Sequence, residues 1–150
     1  MTSKFFDEFE VGEEHRTRCM SLSEGQIMDF AMMYDPQHMH VDHERSEAGP
    51  FGGIIASGFQ TMCIAFRLFY ELGLVAETNI IGLGYDKIRW KKPLYPGESI
   101  YVVCKVIEMK ASSSKPDRGI LTWEFLTYNT KDELVMSNEG TMMVRRKIAN

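Results

Sequence analysis

The chain has 150 residues, of which 44% are hydrophobic, 11% aromatic and 25% charged, so it can bury a core without metal or disulfide staples and is not a disordered composition. Seventeen Lys plus Arg against 21 Asp plus Glu leave a net charge of −4, which argues against non-specific nucleic-acid binding. The three cysteines, Cys19, Cys63 and Cys104, are odd in number and far apart, so they form no disulfide framework or zinc knuckle and are each expected as a small buried hydrophobe in a reducing compartment.

From the N-terminus, Phe5-Phe6-Asp7-Glu8 turns acidic at once, and no signal-peptide core is expected. Glu14 to Met20 predicts a first strand. Ser21 and Glu24 stand at capping-box spacing. Ile27, Phe30, Ala31 and Tyr34 then recur on one apolar helical face. Asp35-Pro36 ends that helix, because the residue before proline is pushed out of the α region. Asp35 to Ser57 reads as loop, with one short helix near His43–Glu47.

Ser57 to Leu72 carries the strongest helical pattern. Phe59, Met62, Cys63, Ile64, Phe66, Leu68, Phe69 and Leu72 ring it almost completely, which predicts burial on all sides. Gly73 is its expected stop. The uncharged stretch from Ala48 to Phe66 contains Pro50 and several glycines, a poor membrane span. A soluble, cytoplasmic protein is expected.

The second half changes character. Ile80–Trp90, Ser99–Ala111, Gly119–Asn129 and Leu134–Lys147 read as strands, with turns at Pro96-Gly97, Pro116 to Gly119 and Asn129 to Asp132. Their spacing predicts an antiparallel meander. The fold class is α+β: residues 1–150 as one domain, a curled antiparallel sheet around a long buried helix.

Three of the four histidines, His38, His40 and His43, crowd into six residues. As a string, HxHxDH matches the zinc-binding pattern of metallo-β-lactamase-like hydrolases. Such a site needs further histidines downstream, and none follows His43, so no metal is expected. His43, beside Glu44 and Arg45, reads as a surface residue, as do His15 and His38. A different pairing carries more chemistry. Asp35 and His40 lie five residues apart across a proline-containing loop, where a carboxylate and an imidazole can share one water for acid–base work. Asp42 is placed to fix the loop backbone, with Ser57 as a second support.

Pro50-Phe51-Gly52-Gly53-Ile54-Ile55-Ala56-Ser57-Gly58 then runs straight into the apolar helix. Gly53 and Gly58 have phosphate-loop spacing, but Phe59-Gln60 replaces the required Lys-Ser/Thr pair. Glycine at a helix N-terminus suits an oxyanion hole of unpaired backbone N–H groups. A tight turn packed on the sheet is the competing reading.

These segments, Tyr34 to Asp42 and Pro50 to Gly58, resemble the MaoC-like dehydratases, relatives of the (R)-specific enoyl-CoA hydratases. Arg89-Trp90-Lys91-Lys92-Pro93-Leu94-Tyr95-Pro96-Gly97-Glu98 and the Phe6–Gly12 start extend the resemblance over essentially the whole chain. It implies a hot-dog fold, an acyl thioester substrate and reversible hydration of a trans-2-enoyl chain. By position it makes Asp35 and His40 catalytic and gives the oxyanion role to the Gly58 N–H. The loop departs from the hydratase pattern: Tyr34 replaces Gly before the aspartate, and Pro36-Gln37 stand where the pattern has Asn-Pro later.

A coenzyme A substrate brings phosphates, for which Arg89 and Lys91, with Lys92 and Arg145-Arg146-Lys147, are candidates; strand-edge basic residues that deter aggregation are the alternative. Trp90 and Trp123 are expected in sheet packing. No cofactor is expected beyond coenzyme A as part of the substrate, and the resemblance implies a homodimer. Two rivals share the fold: thioester hydrolysis with Asp35 activating water, and a non-catalytic acyl-thioester binding module. Coenzyme A and acyl carrier protein are not distinguished.

Overall fold

A computed structural model describes residues 2–148. Its elements in chain order are a 3-10 turn (Phe6–Glu8), β1 (Glu14–Arg16), β2 (Met20–Ser21), α1 (Glu24–Tyr34), α2 (His38–Val41), α3 (His43–Ala48), α4 (Gly58–Glu71), β3 (Asn79–Trp90), β4 (Ser99–Ala111), β5 (Arg118–Asn129) and β6 (Leu134–Arg145). The strands form one antiparallel sheet in the order β1-β4-β5-β6-β3, with β2 also on β4. The sheet curls around α4, the hot-dog arrangement.

Four long strands stand where expected, but the meander holds only for β4, β5 and β6. β3 pairs with β6 and forms the opposite edge. The link from β3 to β4 holds Pro93 and Pro96, which cannot donate to a ladder and so exclude a simple hairpin. It runs along the end of the sheet instead, where the Lys91 and Lys92 N–H groups bond to Val135 O and the Gly97 N–H to Leu22 O. Leu94 is buried on the way.

The expected first strand splits into β1 and β2. At the break, the Val102 N–H donates to the Thr17 hydroxyl at 2.9 Å, so a side chain replaces a rung of the ladder. The helix cap also moves. Ser23, not Ser21, caps α1, accepting from the Gln26 N–H at 3.1 Å while Gln26 Oε1 accepts from the Ser23 N–H at 2.9 Å. Ser21 is in β2, beside Ser99. Ile27 and Ala31 of the α1 stripe are fully buried, while Tyr34 is exposed. The loop after α1 holds two short helices instead of one.

α4 begins and ends as its sequence predicts, capped by Ser57 and stopped at Gly73, which takes φ of 75° where other residues are strained. Its inner face, Ala65, Leu68 and Phe69, packs on the inward-facing residues of β5. Phe69 meets Trp123 and Phe125 edge-on, with ring centroids 5.1 and 5.0 Å apart. Burial on all sides does not hold. Phe59, Phe66 and Tyr70 are exposed on the opposite face, because the sheet of one chain wraps only half of the helix. The cysteines divide likewise. Only Cys104 is buried, and burial pushes its thiol up to about 12; Cys19 and Cys63 are exposed. No helix among the described residues is long and apolar enough to cross a membrane.

Candidate active site

Asp35 is the C-cap of α1, its backbone already out of the helical region at φ −151° and ψ 72° before Pro36. The chain then turns into α2, which carries His40. The segment 54–57 returns alongside, tied by the Ile55 N–H to Met39 O at 3.0 Å and the Ala56 N–H to Leu94 O at 2.8 Å. It delivers Ser57 and Gly58 to the start of α4. Asp42 supports this loop by capping α3, accepting from the Arg45 N–H at 3.0 Å.

Asp35 and His40 are both buried and come together: His40 Nε2 lies 3.4 Å from Asp35 Oδ2. Each is held from behind. The Ser57 hydroxyl donates to Asp35 Oδ2 at 2.6 Å, and Gln37 Nε2 donates to Oδ1 at 2.7 Å. Burial pushes the Asp35 carboxyl up, but the Ser57 and Gln37 hydrogen bonds and the neighbouring His40 outweigh it, holding the group below its ordinary value. His40 Nδ1 lies 2.7 Å from Ile55 O. A carbonyl only accepts, so Nδ1 carries the proton, and in the neutral ring Nε2 presents its lone pair toward Asp35.

With the ring neutral, Nε2 and Oδ2 are two acceptors 3.4 Å apart, close enough for one water placed between them to donate a proton to each. The Gly58 N–H, first in α4, takes no partner among the described residues, so it is free to donate to a ligand. Asp35, His40, Gly58, Phe59, Trp90 and Leu94 are among the residues that line a cavity of about 380 Å³.

The other expected residues scatter. Lys91 lines the cavity, as does Lys92, whose ammonium pairs with Glu133. Arg89 does not. It sits opposite Ser137 on the outward face of β3, its Nη1 bonded to the adjacent Ile88 carbonyl, because a register shift between Asp86 and Arg89 turns it away from α4. Arg146 and Lys147 are spent on Asp7 and Glu8. His38 meets Arg45, and His43 pairs with Glu24, so the crowded histidines diverge. His15 is part-buried, paired with Glu13. Gln37 and Trp90 belong to the site and were not legible as such. Gln37 follows Asp35 by two residues and could have been noticed as a second amide donor in the loop. Trp90 gave no sign of its position.

The sequence pattern of the family described as MaoC like domain matches residues 8–124. The chain belongs to the MaoC-like dehydratase family. Among its relatives, the uncharacterised protein YdeM of Bacillus subtilis is 36% identical over 93% of this chain and 98% of its own. The 3-hydroxyacyl-thioester dehydratase Z of Mycobacterium tuberculosis is 35% identical over 49% of each chain. Among solved structures, the MaoC-like dehydratase from Rhodospirillum rubrum superimposes with a TM-score of 0.89 at 31% identity, over 98% of this chain and 100% of its own.

Proposed function

We propose that this MaoC-like chain is a hydratase/dehydratase that adds water reversibly to a trans-2-enoyl thioester. The observation that carries the reading is the pair of facing acceptors, Asp35 Oδ2 and His40 Nε2, beside the free Gly58 N–H. The thioester carbonyl accepts from Gly58 at the positive end of α4. The water held by the pair attacks C3, and His40 Nε2 takes its proton. Asp35, kept ionised by Ser57 and Gln37, stabilises the imidazolium that forms. Electrons from the C2=C3 bond pass to the carbonyl oxygen as an enolate, which Gly58 stabilises. Return of the proton from Nε2 to C2 completes the addition of H and OH and restores the neutral ring. Dehydration is the same path reversed.

Acid–base assistance of this kind contributes about 10²–10⁴-fold, and one oxyanion donor roughly 3–4 kcal/mol. His40→Gln and Asp35→Asn are each expected to lower the loss of enoyl-thioester absorbance from crotonyl-CoA by about 10²–10⁴-fold, with an unchanged circular dichroism spectrum. Near-native turnover in either variant overturns the assignment. Release of free thiol without loss of the double bond assigns hydrolysis instead. Ligand-induced stabilisation with neither reaction assigns a binding module.

Coenzyme A or the phosphopantetheine of an acyl carrier protein enters as part of the substrate, with Lys91 at the rim for its phosphates and no further cofactor. We place the reaction in the cytoplasm. The working unit is a homodimer. β3 is an edge strand of 12 residues that exposes Leu83 and Tyr85 in one cavity with Phe66 of α4, and a long apolar edge left open invites pairing.

A further inference from the structure

One extra residue in β3 decides what stands at the end of the catalytic cavity. Tyr85 pairs with Gly140 and Asp86 with Glu139, whereas Arg89 pairs with Ser137 and Trp90 with Met136. Three steps along β3 thus match two along β6. Lys87 lies in this bulge with φ of 52°. Side chains alternate along a strand, so Tyr85 and Trp90, five positions apart, face opposite sides when a strand is regular. The bulge changes the parity and turns both toward α4; their partners Gly140 and Met136 are buried on that side.

Trp90 consequently lies on the N-terminus of α4. Its indole N–H donates to Gly58 O at 3.0 Å, and a Cβ on residue 58 would come within 2.3 Å of the ring. Phe59 meets the indole edge-on, centroids 5.8 Å apart. Beyond them, along the α4–β3 seam on which the second copy proposed above would pack, runs a second cavity of about 570 Å³, lined mainly by apolar groups such as Met62, Phe66, Leu83 and Met142. The two cavities share no lining residue. Phe59 stands one helical turn before Met62 and Cys63 on the same face of α4, and Trp90 stands at the end of β3 beyond Tyr85 and the part-buried Ile88, opposite Met136. These two rings are the partition.

We infer that Trp90 is a specificity-determining residue that closes the catalytic cavity and restricts the substrate to short acyl chains, an inference that rests on the enoyl-thioester reading above. A chain whose carbonyl is held at Gly58 has the indole against its path toward the larger cavity. Removing the ring joins the two spaces and gives a long apolar tail somewhere to lie. The indole hydrogen bond to Gly58 O fixes the partition in place, so the ring does not depend on packing alone.

The test uses the full-length chain, native and as Trp90→Ala and Trp90→Phe, with two readouts. kcat/KM is measured for crotonyl-, octenoyl- and dodecenoyl-CoA, and Kd for saturated butyryl- and dodecanoyl-CoA, which needs no turnover. Methylene groups in an apolar pocket discriminate by about tenfold or more. The native chain is expected to prefer the short member of each series by at least about tenfold, Trp90→Ala to reverse or erase that preference, and Trp90→Phe to fall between. A native chain that takes long chains as well as short ones overturns the inference. So does a Trp90→Ala variant that weakens all chain lengths equally, or one that loses self-association and all binding together. If the preference shifts in binding while no protein turns over any enoyl thioester, the partition stands and the hydration reading falls.

Discussion

Asp35 is the most constrained side chain in the site, with both carboxylate oxygens occupied from behind by Ser57 and Gln37. Hydrogen bonds donated to a carboxylate favour its ionised form over its protonated one. Ser57→Ala removes one of the bonds that hold Asp35 below its ordinary value and leaves burial unopposed on that oxygen. The acid limb of the pH–rate profile is therefore expected to move upward, and that of Gln37→Ala to move in the same direction. A profile unchanged in both variants removes their role in keeping Asp35 ionised. The sign for stability follows from linkage. A carboxyl whose folded-state pKa is depressed adds stability above its unfolded value, and that stability is lost as the pH falls through the folded value. The cost of Ser57→Ala in urea denaturation is thus expected to be larger near about pH 7 than near about pH 3. The Asp35–His40 pairing was suggested by five-residue spacing across a proline-containing loop and singled out by the family resemblance. Gln37 was not, because only its side-chain rotamer aims the amide back at Asp35.

Secondary-structure boundaries were legible where one strong rule acted alone: Asp35-Pro36 for the end of α1, Ser57 and Gly73 for the ends of α4. They slipped where two residues satisfied the same rule. Ser21 and Ser23 both precede an acceptor-bearing side chain by three positions, and pairing of Ser21 with β4 decided between them. Ser23→Ala is expected to cost about 1 kcal/mol of stability, read as a lower urea midpoint, and Ser21→Ala distinctly less. Equal costs in both would return the cap to the earlier serine. The bulge at Lys87 was illegible for a different reason. Nothing in Asp86-Lys87-Ile88 marks an inserted residue, yet it reverses the facing of every side chain after it. Trp90 joined the cavity, and Arg89 left it, through that one reversal.

At the scale of the molecule, the all-round apolar pattern of α4 predicts burial on every side, and the sheet of one chain does not supply it. One chain covers the face that bears Leu68 and Phe69 and leaves Phe59, Phe66 and Tyr70 outside. Its accessible surface of 8569 Å² exceeds the about 7,800 Å² typical of a monomer of this mass. The open side of α4 lies beside the unpaired edge of β3, so a second copy placed across both would bury the helix and satisfy the edge in one contact, and a two-fold operation makes that contact self-complementary. Phe66→Glu puts a charge on this face without touching the core or the Asp35–His40 pair, since Phe66 is 48% exposed in the chain. The native protein is therefore expected to sediment as a dimer and Phe66→Glu as a monomer that keeps its helical circular dichroism. Hydration of crotonyl-CoA should fall in the variant, because Phe59 and Trp90, 60% and 48% exposed in one chain, then bound the cavity with no cover from outside. A native chain that sediments as a monomer and still turns over would show that α4 and β3 serve some other contact.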